Sequence, residues 1–174
     1  MGEITGREQV NEIFAFLKKY VPGCENAKLL QSGSTLGIRE TRHIHGQKTL
    51  ALNDVLKCRV PDDSIMICAN SVDVHGRFGP TSNEYITIPE GKYYGIPYGC
   101  LVPEKRSNLL VAGRCVSAES EAAGAIRVMP PCMGMGQAAG VAAAMACRDV
   151  VAVSELDIMK LRDELTRNGV LPSV

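Results

Sequence analysis

The 174 residues include no tryptophan and only 5% aromatics, and neither sign of charge is in surplus: 19 Lys+Arg stand against 19 Asp+Glu. A balanced charge excludes a nucleic-acid clamp or a polybasic membrane patch, each of which needs an excess of cations. The seven cysteines, Cys24, Cys58, Cys68, Cys100, Cys115, Cys132 and Cys147, contain no C-x-x-C and no short pair. Neither a disulfide framework nor a zinc cage is indicated. The N-terminus lacks the charged-then-apolar profile of a signal peptide, which points to a reducing, cytoplasmic setting. What the chain has instead is glycine, 17 residues, within a 45% hydrophobic composition that can bury a real core at this length. Many small residues and few large rings suggest packing by close backbone approach.

Thr5 and Glu8 are spaced as a capping box ahead of Val10, Ile13, Phe14 and Leu17, so a helix is expected from about residue 6 to Tyr20, stopped by Pro22-Gly23. Short apolar runs follow at Ala27 to Gln31, Leu36 to Ile44, Ser64 to Cys68, Val72 to His75, Glu84 to Ile88 and Tyr93 to Tyr98. They read as strands of a mixed or antiparallel sheet, with one short helix near Asn53 to Lys57. Leu109-Leu110-Val111-Ala112, closed by Gly113, has the pattern of a strand buried on both faces. Arg114 to Ala125 reads as a connection, Pro130-Pro131 opens a helix reaching Cys147, and Ser154 with Asp157 boxes a last helix ended by Asn168-Gly169. The fold class is α+β or mixed α/β.

No charged residue occurs from Val128 to Cys147, and that segment admits several readings. As a membrane span it has the length and a Gly136-x-x-x-Gly140 packing face, but it opens with two prolines and is dominated by Ala and Gly. As a dinucleotide fingerprint, Gly134 to Gly140 is one residue too long for G-x-G-x-x-G, and no strand directly precedes it. As a buried helix, its first turn would point N–H groups at a ligand. A core helix touching only protein is the plain alternative.

Several separated motifs bear on the choice. Asn108 to Ala118 (NLLVAGRCVSA), Gly124 to Pro130 (GAIRVMP) and Met133 to Gly140 (MGMGQAAG) follow Gly37 to Gly46 (GIRETRHIHG), Val72 to His75 (VDVH) and Tyr94 to Tyr98 (YGIPY). Together, in this order, they resemble the C-terminal part of the FAD-dependent oxidoreductases, distantly similar to the fumarate reductase and succinate dehydrogenase flavoproteins. The resemblance spans roughly Thr5 to Pro172. It implies a mixed-sheet substrate or cap region over 1–107, a returning strand and helix of the FAD-binding domain over 108–150, and a C-terminal helix over 151–174.

It further implies that Gly113 and Arg114 meet the ribityl and pyrophosphate region of FAD. Arg114 departs from the acidic residue usual at that turn. Met133, Gly134 and Met135 match a helix start whose amides face the flavin's pyrimidine edge, where a helix N-terminus stabilises negative charge. Arg127 matches a substrate-facing arginine, the alternative being a loop pair with Glu119 or Glu121. Arg39 is a second active-site candidate, on the opposite strand face from Glu40 and Arg42, or else part of a solvated face. His75 is a candidate proton carrier or a structural histidine; with His43 and His45 it lacks the further ligands of a metal site, and no metal is expected. Tyr98, Cys115 and Cys132 are possible ligand contacts.

The strand, G-x-G-x-x-G turn and acidic residue that hold the adenosine end of FAD occur nowhere in these residues. The expectation is therefore the C-terminal part of a hydride-transferring enzyme with a small-molecule substrate, holding FAD weakly or not at all by itself. The missing N-terminal FAD-binding half, or a partner subunit, would complete the site, and bare apolar surface would drive self-association. The alternative is a non-catalytic remnant that binds a partner chain. No membrane or nucleic acid is expected as partner.

Overall fold

A computed structural model describes residues 2–75 and 83–171, apart from the side chains of His75, Asn83 and Glu84. The chain divides into two compact units, Met1–Ile38 and Arg39–Val174. The first holds helix α1 (Gly2–Tyr20) and an irregular tail, and none of α1's residues is buried. Its start at Gly2 places Thr5 and Glu8 inside the helix, so the capping box does not cap it. The terminal contact comes from the tail, where the Leu36 N–H donates to Glu3 Oε1 at 2.8 Å. At the other end Gly23 takes a left-handed φ of +89° and stops the helix as expected.

The second unit carries the core. Helix α2 (Leu52–Leu56) precedes β1 (Ser64–Cys68), β2 (Val72–His75), β3 (Asn83–Ile86) and β4 (Tyr94–Pro97). Then come α3 (Ser120–Ile126), α4 (Met129–Asp149) and α5 (Ile158–Arg167), with single 3-10 turns at Tyr98–Cys100 and Val153–Glu155. The composition is α+β as expected, but the strands do not form one mixed sheet. They form two antiparallel ladders, β1 with β4 and β2 with β3, and parallel pairing is confined among the described residues to the isolated Leu50–Ala118 bridge. Ala27 to Gln31 and Leu36 to Ile44 are irregular, not strands.

A larger correction concerns Leu109 to Ala112. No strand pairs with this run among the described residues; Leu109 is exposed, and Val111 N–H donates to the Leu101 carbonyl at 2.9 Å. An apolar run becomes a doubly buried strand only when neighbours satisfy both of its edges. Gly113 nonetheless closes the run in the left-handed conformation, φ +86°. The segment Arg114 to Ala125 also differs, since it contains α3. That helix is short, includes Gly124 and is buried from Ala122 to Ile126, so it lacks the polar face that makes a helix legible.

The core gathers Leu50, Ile65, Val72, Tyr94, Ile96, Leu101, Ile126, Met135, Leu161 and Leu165. Each large side chain so buried contributes about 1.5–3 kcal/mol. Tyr94 lies at its centre, its hydroxyl 3.1 Å from the Asn70 carbonyl and 3.2 Å from Cys68 Sγ. Helix α4 packs on β1, and α5 packs on both. α5 is capped by Asp157, whose carboxylate accepts from Met159 and Lys160 N–H, while Ser154 sits in the preceding 3-10 turn. No helix of the described residues is long and apolar enough to cross a membrane, so α4 is not a span.

Two glycines differ in what surrounds them. A Cβ on Gly124 would lie 2.6 Å from the Asp73 carbonyl oxygen, whereas one on Gly136 would meet nothing within 4 Å. Gly124→Ala is expected to lose about 1–3 kcal/mol, since backbone cannot yield as a side chain can. Gly136→Ala should gain about 0.5–1 kcal/mol from helix propensity. Urea melts of both variants check the contrast, and equal shifts would contradict it.

Candidate functional site

The site is built by α3 lying across β2. Gly124 allows helix and strand backbones to touch, and the Asn70 side-chain amide donates to the Ala125 carbonyl at 2.8 Å, fixing the helix end. Arg127, the C-cap residue of α3, is thereby aimed back over β2, where its guanidinium donates to the Asp73 carbonyl at 2.8 Å. Its other nitrogen lies 3.8 Å from Glu40 Oε2, and its side chain is only 12% exposed. A charge-assisted bond at this depth is worth about 1.5–3 kcal/mol, so Arg127 is held in place.

A cavity of about 190 Å³ opens beside it, lined by Arg39, Asp73, Arg114, Arg127 and Val128. Three arginines and one aspartate thus line one small space. Arg39 Nη1 lies 3.8 Å from Asp73 Oδ2 with 61% of its side chain exposed. A pair this exposed contributes less than about 1 kcal/mol.

The sequence candidates thus divide. Arg39, Arg114 and Arg127 meet at one cavity, and Gly113 precedes Arg114 in an open turn with nothing near its Cα face. Arg127 pairs with Glu40 and the Asp73 carbonyl; Glu119, an expected partner, instead accepts the Leu52 N–H at 2.7 Å. His75 ends β2, but its side chain lies outside the described residues. Met133, Gly134 and Met135 are not at a helix start. α4 begins at Met129, so their amides are spent on carbonyls four residues back, and Pro130 and Pro131 in the first turn have no N–H. Gly134 backs onto Met66, Met135 is buried, and only Met133 keeps an exposed side chain, at 73%.

Tyr98 is also elsewhere: it is buried, donates to the Val153 carbonyl at 2.8 Å, and burial pushes its hydroxyl up to about 12. The His43 ring is engaged by Glu40 and the Val116 carbonyl. Among the described residues no three His, Cys, Asp or Glu side chains could hold a metal ion. Sequence reasoning missed Asp73 and Val128 as cavity walls and Glu40 as the partner of Arg127. Asp73 stood inside the Val72 to His75 motif, yet nothing local marks a strand aspartate as facing a distant arginine.

The fold and cavity can now be set beside known proteins. A model described as FAD dependent oxidoreductase matches residues 1–165. The chain belongs to the FAD dependent oxidoreductase family. No curated protein and no solved structure matches it. FAD is the cofactor of this family. Gly113 and Arg114 offer an open turn beside the cavity, but a space of about 190 Å³ is far too small to enclose a dinucleotide.

Cysteines of this FAD dependent oxidoreductase family member differ in environment. Burial pushes the Cys132 thiol up, with Arg114 pulling it partly back, and burial takes Cys100 to about 12, while Cys115 and Cys147 are exposed. A raised thiol holds less thiolate at pH 8 and reacts more slowly. Cys115 and Cys147 should therefore be modified by iodoacetamide well before Cys132, and Cys100 only on unfolding. Peptide mapping by mass spectrometry checks this order; early modification of Cys100 would contradict the burial.

Proposed function

We propose that this chain is the substrate-side, C-terminal part of an FAD-dependent oxidoreductase, distantly similar to the fumarate reductase flavoproteins, and that the adenosine-binding half is supplied by other residues. The observation that carries the reading is the meeting of Arg39, Arg114 and Arg127 at one small cavity. When bound, the flavin supplies the hydride acceptor or donor. The chain's own residues bind and orient a small anionic or carbonyl substrate. Arg127, held by the Asp73 carbonyl, fixes the substrate's negative oxygen, and Arg39 closes over it. An arginine does this without losing its proton near neutral pH. His75 is the proton carrier in this reading.

Gly113, Arg114 and the exposed Met133 belong to the cofactor edge, with Gly134 and Met135 holding α4 to the core behind it. The uncharged exposed face of α4, including Met129, Met133, Gly136 and Gly140, supports a covering chain, either the nucleotide-binding half or a second copy. The unpaired run from Leu109 to Ala112 supports the same half, whose sheet it would join.

Two experiments test the reading. Purified alone and mixed with FAD, the chain should show no stoichiometric flavin absorption after gel filtration; tight retention of FAD would overturn the incomplete site. In the enzyme completed by its nucleotide-binding half, Arg127→Ala should lower kcat/KM about 10²-fold or more, the cost typical of removing one transition-state donor. Unchanged turnover would remove Arg127 from the site.

A further inference from the structure

Behind Arg127 the described residues form a line of charged groups that substrate binding alone does not require. Glu40 Oε1 lies 3.1 Å from His43 Nε2, and Glu40 Oε2 lies 3.8 Å from Arg127 Nη1. The other ring nitrogen, His43 Nδ1, lies 2.8 Å from the Val116 carbonyl oxygen. A carbonyl oxygen can only accept. Nδ1 must therefore carry a hydrogen, and Nε2, facing a carboxylate, needs one as well. The alternative is a proton on Glu40 itself, but an ordinary carboxylate gives up its proton more readily than an ordinary imidazole does. His43 and Glu40 are 17% and 23% exposed, so water compensates a lost proton poorly.

We propose that His43 is a doubly protonated positioning residue which holds Glu40 and so leaves the positive charge of Arg127 to the cavity. With both protons in place, imidazolium and carboxylate balance each other. The Glu40–Arg127 separation, longer than a hydrogen bond, fits a carboxylate already committed to His43. Once His43 loses the Nε2 proton, that nitrogen presents a lone pair to the carboxylate. Glu40 then turns to Arg127, compensates its charge, and anion binding weakens. Charged or titratable groups near this pair include Arg39 and Arg42 on the same segment, Asp73 on β2, and Arg114 and Cys115 on the turn leading to Val116. The arginines stay charged throughout, so the switch lies in the histidine–glutamate pair.

This inference rests on reading the cavity as an anion site, and its test needs no flavin. In the whole chain, nitrogen-15 spectra of the imidazoles at pH 7 should show His43 with hydrogens on both nitrogens, a signature lost in Glu40→Gln. Acetate, followed through the Arg127 Nε–H resonance, should bind about tenfold more weakly at pH 9 than at pH 6 in the wild type and equally at both in Glu40→Gln. A neutral His43 ring at pH 7, acetate binding independent of pH in the wild type, or no binding at either pH would overturn the proposal. Failure of the flavoenzyme reading would instead show in the flavin absorption and turnover experiments and leave the nitrogen-15 signature intact.

Discussion

The contact between the backbones of α3 and β2 at Gly124 and Asp73 is the constraint on which the site depends. With no side chain at Gly124, the helix sits close enough for Arg127, at its C-terminal cap, to reach the Asp73 carbonyl at 2.8 Å. The same strand residue serves twice, its carbonyl fixing Arg127 and its carboxylate facing Arg39. A shift of α3 by the width of one methyl group would draw Arg127 off the carbonyl it bonds. The Asn70 amide, bonded to the Ala125 carbonyl, guards the spacing from the other side. Interiors packed at crystal density transmit such shifts rather than absorb them.

Electrostatics then divides the arginines by burial. Arg127 is nearly enclosed and held, which in the proposed function lowers the cost of ordering when an anion binds, while Arg39 is mostly exposed. Glu40 and His43 stand behind this front and decide how much of the Arg127 charge is left for the cavity. The family is shown by the match over residues 1–165, and the proposed role of the three arginines rests on the cavity they line.

Much of the second unit was legible in sequence. Ser64 to Cys68 and Val72 to His75 form strands at the expected bounds, and β3, β4, α2 and α4 appear within a few residues of theirs. Local pattern carries that information because strands and long helices repeat their apolar positions. Where it misled, a neighbour was at issue. Leu109 to Ala112 has the composition of a buried strand but nothing to pair with among the described residues, and α3 is buried too completely to show a polar face. The resemblance set Met133 to Met135 at a helix start, although the prolines themselves already marked where the helix opens. Two prolines fit a first helical turn, so α4 begins before them and leaves Met133 to Met135 with amides already bonded.

The sequence by itself determined the balanced charge, the glycine-rich texture, the family motifs in order, and Arg39, Arg114 and Arg127 as residues worth following. Their convergence was decided by tertiary structure alone, as were the choice of Asp73 and Glu40 as their partners and the engagement of His43. Residues far apart along the chain meet only through the docking of α3 on β2 and the course of the segments beside it. Ion pairs and cavities depend on distance in space, and no local pattern of side chains records that distance.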